Sequence, residues 1–125
     1  MAYLYHNKTG DVLAVFENGR VYKDIWCKQL LGTYKNEKIF IGKGIFKQLV
    51  GTYNGDIHDF ITGPFEVVSK NKVGYVLGDN IYAGDVDEKS KKIAYFDGSD
   101  KFGAAAAALL SGIFSRSDKI DDVKL

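Results

Sequence analysis

The chain has 125 residues, enough for one hydrophobic core and too few for two ordinary ones. Seventeen Lys and Arg against sixteen Asp and Glu leave a formal charge of +1, which excludes a whole-chain electrostatic pull toward nucleic acid or an acidic membrane, and 46% hydrophobic residues exclude a disordered chain. The single cysteine, Cys27, excludes an intramolecular disulfide, and the start MAYLYHNKTG lacks a basic stretch leading into an apolar one, so the expected setting is reduced and cytoplasmic.

Fourteen glycines accompany one proline, Pro64, so turns must be built mainly from Gly, Asn and Asp. Phe, Tyr, Val, Ile and Thr fall in short runs between those turn formers, the pattern of strands and hairpins. Five segments superpose in chain order: VLAVFENGRVY, LLGTYKNEKIF, LVGTYNGDIH, KVGYVLGDNIY and KIAYFDGSDKF. Each has a small anchor after an apolar residue (Ala14, Gly32, Gly51, Gly74, Ala94) and a closing aromatic or His (Tyr22, Phe40, His58, Tyr82, Phe102) at offsets of 8, 8, 7, 8 and 8. The gaps to the next anchor vary, at 10, 11, 16 and 12. The constant part is a hairpin and the variable part a connector.

In the first copy, Asn18-Gly19 is a strong signal for a type I′ turn, which needs positive φ at both central positions. That turn sets Glu17 against Arg20, Phe16 against Val21 and Val15 against Tyr22, favourable pairs across a ladder. The same register in the second copy opposes Lys35 and Lys38. Alternation places the anchor, the large residue two later and its β-branched partner on one face, with Leu13-type residues and the closing aromatic on the other. A lone hairpin is marginal in water, so the units must pack together around an axis or as a closed meander.

From Phe102 to Phe114 no residue is charged over 13 positions, short of the roughly 20 needed to span a membrane. Ala favours a helix; Ser99 or Asp100 can cap its start and Gly112 its end. Such an apolar helix must be covered, either by packing over one end of the hairpins or by another subunit through Leu109, Leu110, Ile113 and Phe114. The chain is therefore expected to be one all-β domain over 1–125: hairpins of about 20 residues over 3–102, an Ala-rich helical segment over 102–114 and a polar tail over 115–125.

The apolar-small anchor, the Gly/Asn/Asp turn, the Ile-Tyr or Val-Tyr return strand and the run GAAAAALL resemble the bacterial β-hairpin repeat proteins called β-flower, or four-fold β-flower, proteins. The resemblance covers residues 3 to 110 and implies a hairpin-repeat architecture; it brings no activity, catalytic residue or cofactor. Residues 59 to 72 form an insertion, and five copies depart from a four-fold count.

Chemical signatures are sparse. Gly42-Lys43-Gly44 is not a complete phosphate loop, Cys27, His6 and His58 lack zinc-ligand spacing, and Asp85-Val86-Asp87-Glu88 reads as a solvated turn. His58 stands where the other copies carry an aromatic, so it is a candidate ligand contact or general base, with Cys27 as a conceivable companion. Trp26, on a connector, is a candidate partner anchor. Six Lys and two acids lie between Lys23 and Lys47, which with Tyr34 or Trp26 supplies the only nucleic-acid argument; nucleic acid is an unfavoured partner. The expected function is a non-enzymatic, cofactor-free binding or scaffold module that self-associates, the alternative being a ligand-binding protein or enzyme with a pocket near His58 and Trp26.

Overall fold

A computed structural model describes residues 1–27, 29–42, 47–62, 67–84 and 91–114. The elements in chain order are β1 (Ala2–His6), β2 (Val12–Glu17), β3 (Arg20–Tyr22), β4 (Leu30–Lys35), β5 (Lys38–Ile41), β6 (Gln48–Tyr53), β7 (Asp56–Thr62), β8 (Val67–Leu77), β9 (Asn80–Ala83), β10 (Lys91–Phe96) and one helix, α1 (Lys101–Ser111). The strands form a closed antiparallel meander in which β10 pairs with β1. The expected all-β hairpin architecture with a short C-terminal helix is what the chain adopts.

Local chemistry sets the register as the turn signals require. Asn18 and Gly19 have φ of 50° and 82°, and Glu17 faces Arg20, Phe16 faces Val21 and Val15 faces Tyr22. Lys35 faces Lys38 as well, across a turn with positive φ at both Asn36 and Glu37. Inward-facing residues form repeated rows. Each runs from a large residue near a turn, through an aliphatic partner, to the anchor of the next unit: Phe16–Val21–Gly32, Tyr34–Ile39–Gly51, Tyr53–Ile57–Gly74 and Val76–Ile81–Ala94. Gly32 is the counterpart of Ala14, so one step round the barrel moves a row two residues along the chain. That stagger tilts the strands and lets the sheet close.

Leu13-type residues depart from simple alternation. Between each unit and the next, the ladder skips one residue: Leu13, Leu31, Val50, Val73 and Ile93 are each passed over. These are β-bulges, in which two consecutive residues oppose one and the local twist rises. The bulge turns the passed-over residue toward the interior, and all five pack with the core instead of facing outward. The apolar-small pair that marks every copy is thus the sequence of a bulge. Residues 59 to 72 are no separate insert; on the described residues they lengthen the β7–β8 hairpin, pairing as far as Thr62 with Val67.

The fifth unit is not a hairpin of consecutive strands. After β10 the chain enters α1, and Phe102 is a helical residue. The second strand comes from the other end of the chain: Phe96 faces Leu4 and Leu4 faces Ala14, completing the row Phe96–Leu4–Ala14. Tyr5, opposite Tyr95, is the true closing aromatic, and their rings stack with centroids 5.1 Å apart. Asp97 holds the seam by accepting from the Tyr3 backbone N–H at 2.7 Å and the Tyr5 hydroxyl at 3.2 Å.

The helix neither caps the barrel nor leaves it. It touches strands β1 to β4 and β6 to β9, and Ala104 to Ala108 are all fully buried. Five consecutive buried residues cover the whole circumference of a helix with 3.6 residues per turn, so α1 lies along the bore. Its taper matches the lining. At the turn end, where the walls are large, the helix presents Gly103; an added Cβ there would stand 2.5 Å from Phe16 Cδ2. At the connector end the walls are Gly or Ala, and Leu110 packs on Gly32, Leu109 on Gly51 and Phe114 on Gly74.

Overpacking is therefore expected to be costly from either side. Ala106→Leu widens the helix, and Gly74→Ala sets a Cβ 2.8 Å from Phe114 Cε1 and against the Tyr82 carbonyl oxygen. Each should destabilise by about 1–3 kcal/mol or more, measured as a lowered urea midpoint. Unchanged midpoints would show that the bore has spare room.

Candidate functional site

A barrel offers two places for chemistry, its bore and its outer surface. Here the bore is filled by α1, and among the described residues the core contains no buried charged or polar side chain. Part-buried polar contacts lie at the two ends of the helix: Ser111 donates its hydroxyl to the Ala108 carbonyl at 2.9 Å at the far end, and a tyrosine–carboxylate pair stands at the start. Asp100 caps α1, one carboxylate oxygen accepting from the Gly103 N–H at 2.8 Å and the other from the Tyr34 hydroxyl at 2.7 Å. Burial, reinforced by the Asp100 hydrogen bond and charge, raises the Tyr34 pKa well above the usual tyrosine value. Gly112 ends the helix with φ of 80°, as its position in the sequence implies. Asp100 was legible only as a cap; its bond to a tyrosine 66 residues away was not.

Leu109, Leu110, Ile113 and Phe114, expected as subunit contacts if the helix were shared, are committed within the chain. Ile113 and Phe114 are buried, and Leu109 and Leu110 are half-buried against the glycine anchors. The missing side chains of Gly32, Gly51 and Gly74 make the space that Leu110, Leu109 and Phe114 fill.

His58 lies on β7, half-buried, between Thr52 on β6 and Lys72 on β8. Trp26 lies on the connector from β3 to β4 with 71% of its surface exposed, and its backbone N–H donates to the Asp24 carboxylate at 3.1 Å. The Cys27 sulfur approaches the Met1 sulfur at 3.9 Å, which ties this connector to the side of β1. Three strands separate β3 from β7 in one direction and five in the other. The barrel therefore holds Trp26 and Cys27 away from His58 rather than gathering them into one pocket. Asp85-Val86-Asp87-Glu88, Lys28 and Lys43-Gly44 lie outside the described residues. Tyr34 points into the bore and is buried, so it is no stacking platform for a base.

Comparison with protein-family models, curated proteins and solved structures finds no match to this chain. Its chemistry must be argued from its own surface.

Two outcomes follow from the filled bore. Leu109→Lys with Leu110→Lys is expected to abolish cooperative urea unfolding, because two ammonium groups would replace core leucines; a folded double variant of lower subunit count by size-exclusion chromatography would instead show a subunit contact. Stability should also fall at high pH. A tyrosine whose folded pKa is raised contributes stability that is intact below the unfolded value near 10 and is lost as pH rises through that value toward the folded one. Tyr34→Phe, followed by thermal melts from pH about 8 to 11, should flatten this decline; an identical decline in the variant would assign it to other groups.

Proposed function

We propose that this protein is a non-enzymatic binding or scaffold module that works through its outer surface. The observation that carries this reading is the helix in the bore: the space where a closed barrel can enclose a small ligand is occupied by the chain itself. A rigid, self-filled barrel is suited to presenting side chains at fixed spacing. The exposed Ile25 and Trp26 on the β3–β4 connector have the character of a partner anchor. The competing pocket between His58 and Trp26 has their separation by intervening strands against it.

Kinship with bacterial β-flower proteins belongs to the same proposal and is carried by the hairpin units and the Ala-rich run. A cytoplasmic setting is supported by the lone thiol of Cys27. Self-association loses the support of the Ala-rich segment, which is covered within one chain, and has to use another surface; native mass spectrometry reads the subunit count directly.

An apolar-ligand screen tests the outer-surface reading. Fatty acids and the dye ANS should neither bind at micromolar concentration nor raise the melting temperature. Saturable micromolar binding accompanied by NMR shifts at Ala104 to Ala108 would put a ligand site in the bore and overturn it.

A further inference from the structure

The turn of the second unit carries two local costs. Glu37 sits at φ of 68°, a region that few residues other than Gly and Asn occupy readily. Lys35 and Lys38 face each other across the ladder, and like charges so placed are destabilising. The first unit has the inexpensive solution in the same register, Asn18-Gly19 flanked by Glu17 and Arg20. Local rules broken twice in one exposed turn point toward a functional constraint.

Cations gather on one outer flank around that turn, with one exposed acid, Glu37, in the turn itself. Inward alternation of Val21, Tyr34, Ile39 and Gly51 sends their neighbours outward, so Arg20, Lys35 and Lys38 share the outer flank of β3 to β5. Arg20 lies opposite Thr33, and Lys38 lies opposite Thr52 on β6. Lys47, just before β6, places its ammonium 4.5 Å above the ring of Phe40 on the same flank. All four cations are exposed. Glu17, which the ladder sets beside Arg20, is drawn away: its carboxylate pairs with the Met1 amine at 3.3 Å. Among the described residues none of the four cations forms an ion pair.

We propose that this flank binds the phosphate backbone of a single-stranded nucleic acid, an assignment that rests on the outer-surface reading. The cations are spread over adjacent strands about 4.8 Å apart, a row suited to successive phosphates rather than to one headgroup. The Thr33 and Thr52 hydroxyls add hydrogen-bond donors for phosphate or sugar oxygens. Among the described residues the outward row of Arg20, Thr33, Lys35, Lys38 and Thr52 carries no apolar side chain for a bilayer; the flank's aromatic, Phe40, is half-buried beneath Lys47, and the exposed Ile41 lies at the end of β5 away from the turn. The extended ribbon of the β7–β8 hairpin lies beyond β6, and among the described residues of the flank itself no helix or ribbon stands out to enter a duplex groove. Phosphate contact also relieves the repulsion between Lys35 and Lys38, so the ligand stabilises the turn that is costly without it.

Fluorescence anisotropy with a labelled oligonucleotide of about twelve nucleotides and mixed sequence tests this. Affinity should fall with salt with a logarithmic slope of about −3, from four phosphate contacts. Lys35→Glu should weaken binding roughly tenfold and shrink the slope by about one, yet hold or raise the urea midpoint, since Glu would then face Lys38. A structural role alone would move stability and leave the salt slope untouched. Lys91→Glu, on β10 away from the flank, should leave binding unchanged. Absence of binding at low salt, equal loss in both variants, or full affinity in Lys35→Glu would overturn the proposal. Preference for phosphatidylserine vesicles with the same Lys35 dependence would overturn the nucleic-acid assignment in favour of a lipid surface. None of these outcomes touches the filled bore, which the apolar-ligand screen judges separately.

Discussion

The fit between a tapered helix and a tapered bore governs the rest of this structure. A closed sheet of ten strands is too wide for its own side chains to fill uniformly, and protein interiors do not tolerate voids. An inserted helix with ordinary side chains is about 10–12 Å across, so the enclosed helix must be thin where the walls are thick. Ala104 to Ala108 supply that thinness, and the large residues Phe16, Tyr34 and Phe96 close on the narrow end. At the other end the relation inverts, with glycine walls and Leu109, Leu110 and Phe114 as filling. Neither the Ala run nor the glycine anchors make physical sense alone.

Closure imposes a second condition, at the chain ends. Because β10 leads straight into α1, the strand that completes the fifth unit has to be brought from the N-terminus, and β1 lies between β10 and β2. The final row therefore depends on contacts nearly the full length of the chain apart. Such non-local closure is slow to form. The Tyr5–Tyr95 stack and the two hydrogen bonds to Asp97 reinforce that seam.

Much of the barrel was legible because its rules are local. Asn18-Gly19 fixed one register, and identical spacing carried it to Lys35 and Lys38 despite their charges. The inward rows followed from alternation. Three features escaped, each for a physical reason. Bulges at Leu13 and its counterparts depend on how one unit meets the next, which alternation within a strand does not contain. Phe102 falls at the repeat's spacing while belonging to a helix, and it drew attention from Tyr5, whose partner Tyr95 lies 90 residues away. The apolar run demanded cover, but whether the cover was an end, a second subunit or a bore depended on closure, a property of all ten strands together. The candidate sites were less legible still: His58 and Trp26 stood out by residue type, and the strand order keeps them apart.

Net charge conceals the remaining point. A sum of +1 limits the long-range field of the whole molecule, but it places no limit on a single flank, because closing the sheet sorts side chains by strand face and by position round the barrel. Arg20 joins the lysines of β4 and β5 through the ladder, while Glu17, its neighbour in the same turn, is turned to the Met1 amine. The core fixes which residues point outward, so the outer pattern is a consequence of the inward rows. A Lys at position 35 or 38 must face water whenever Tyr34 and Ile39 face α1. The rigid packing of the bore and the spacing of charge on the flank are thus two sides of the same strands.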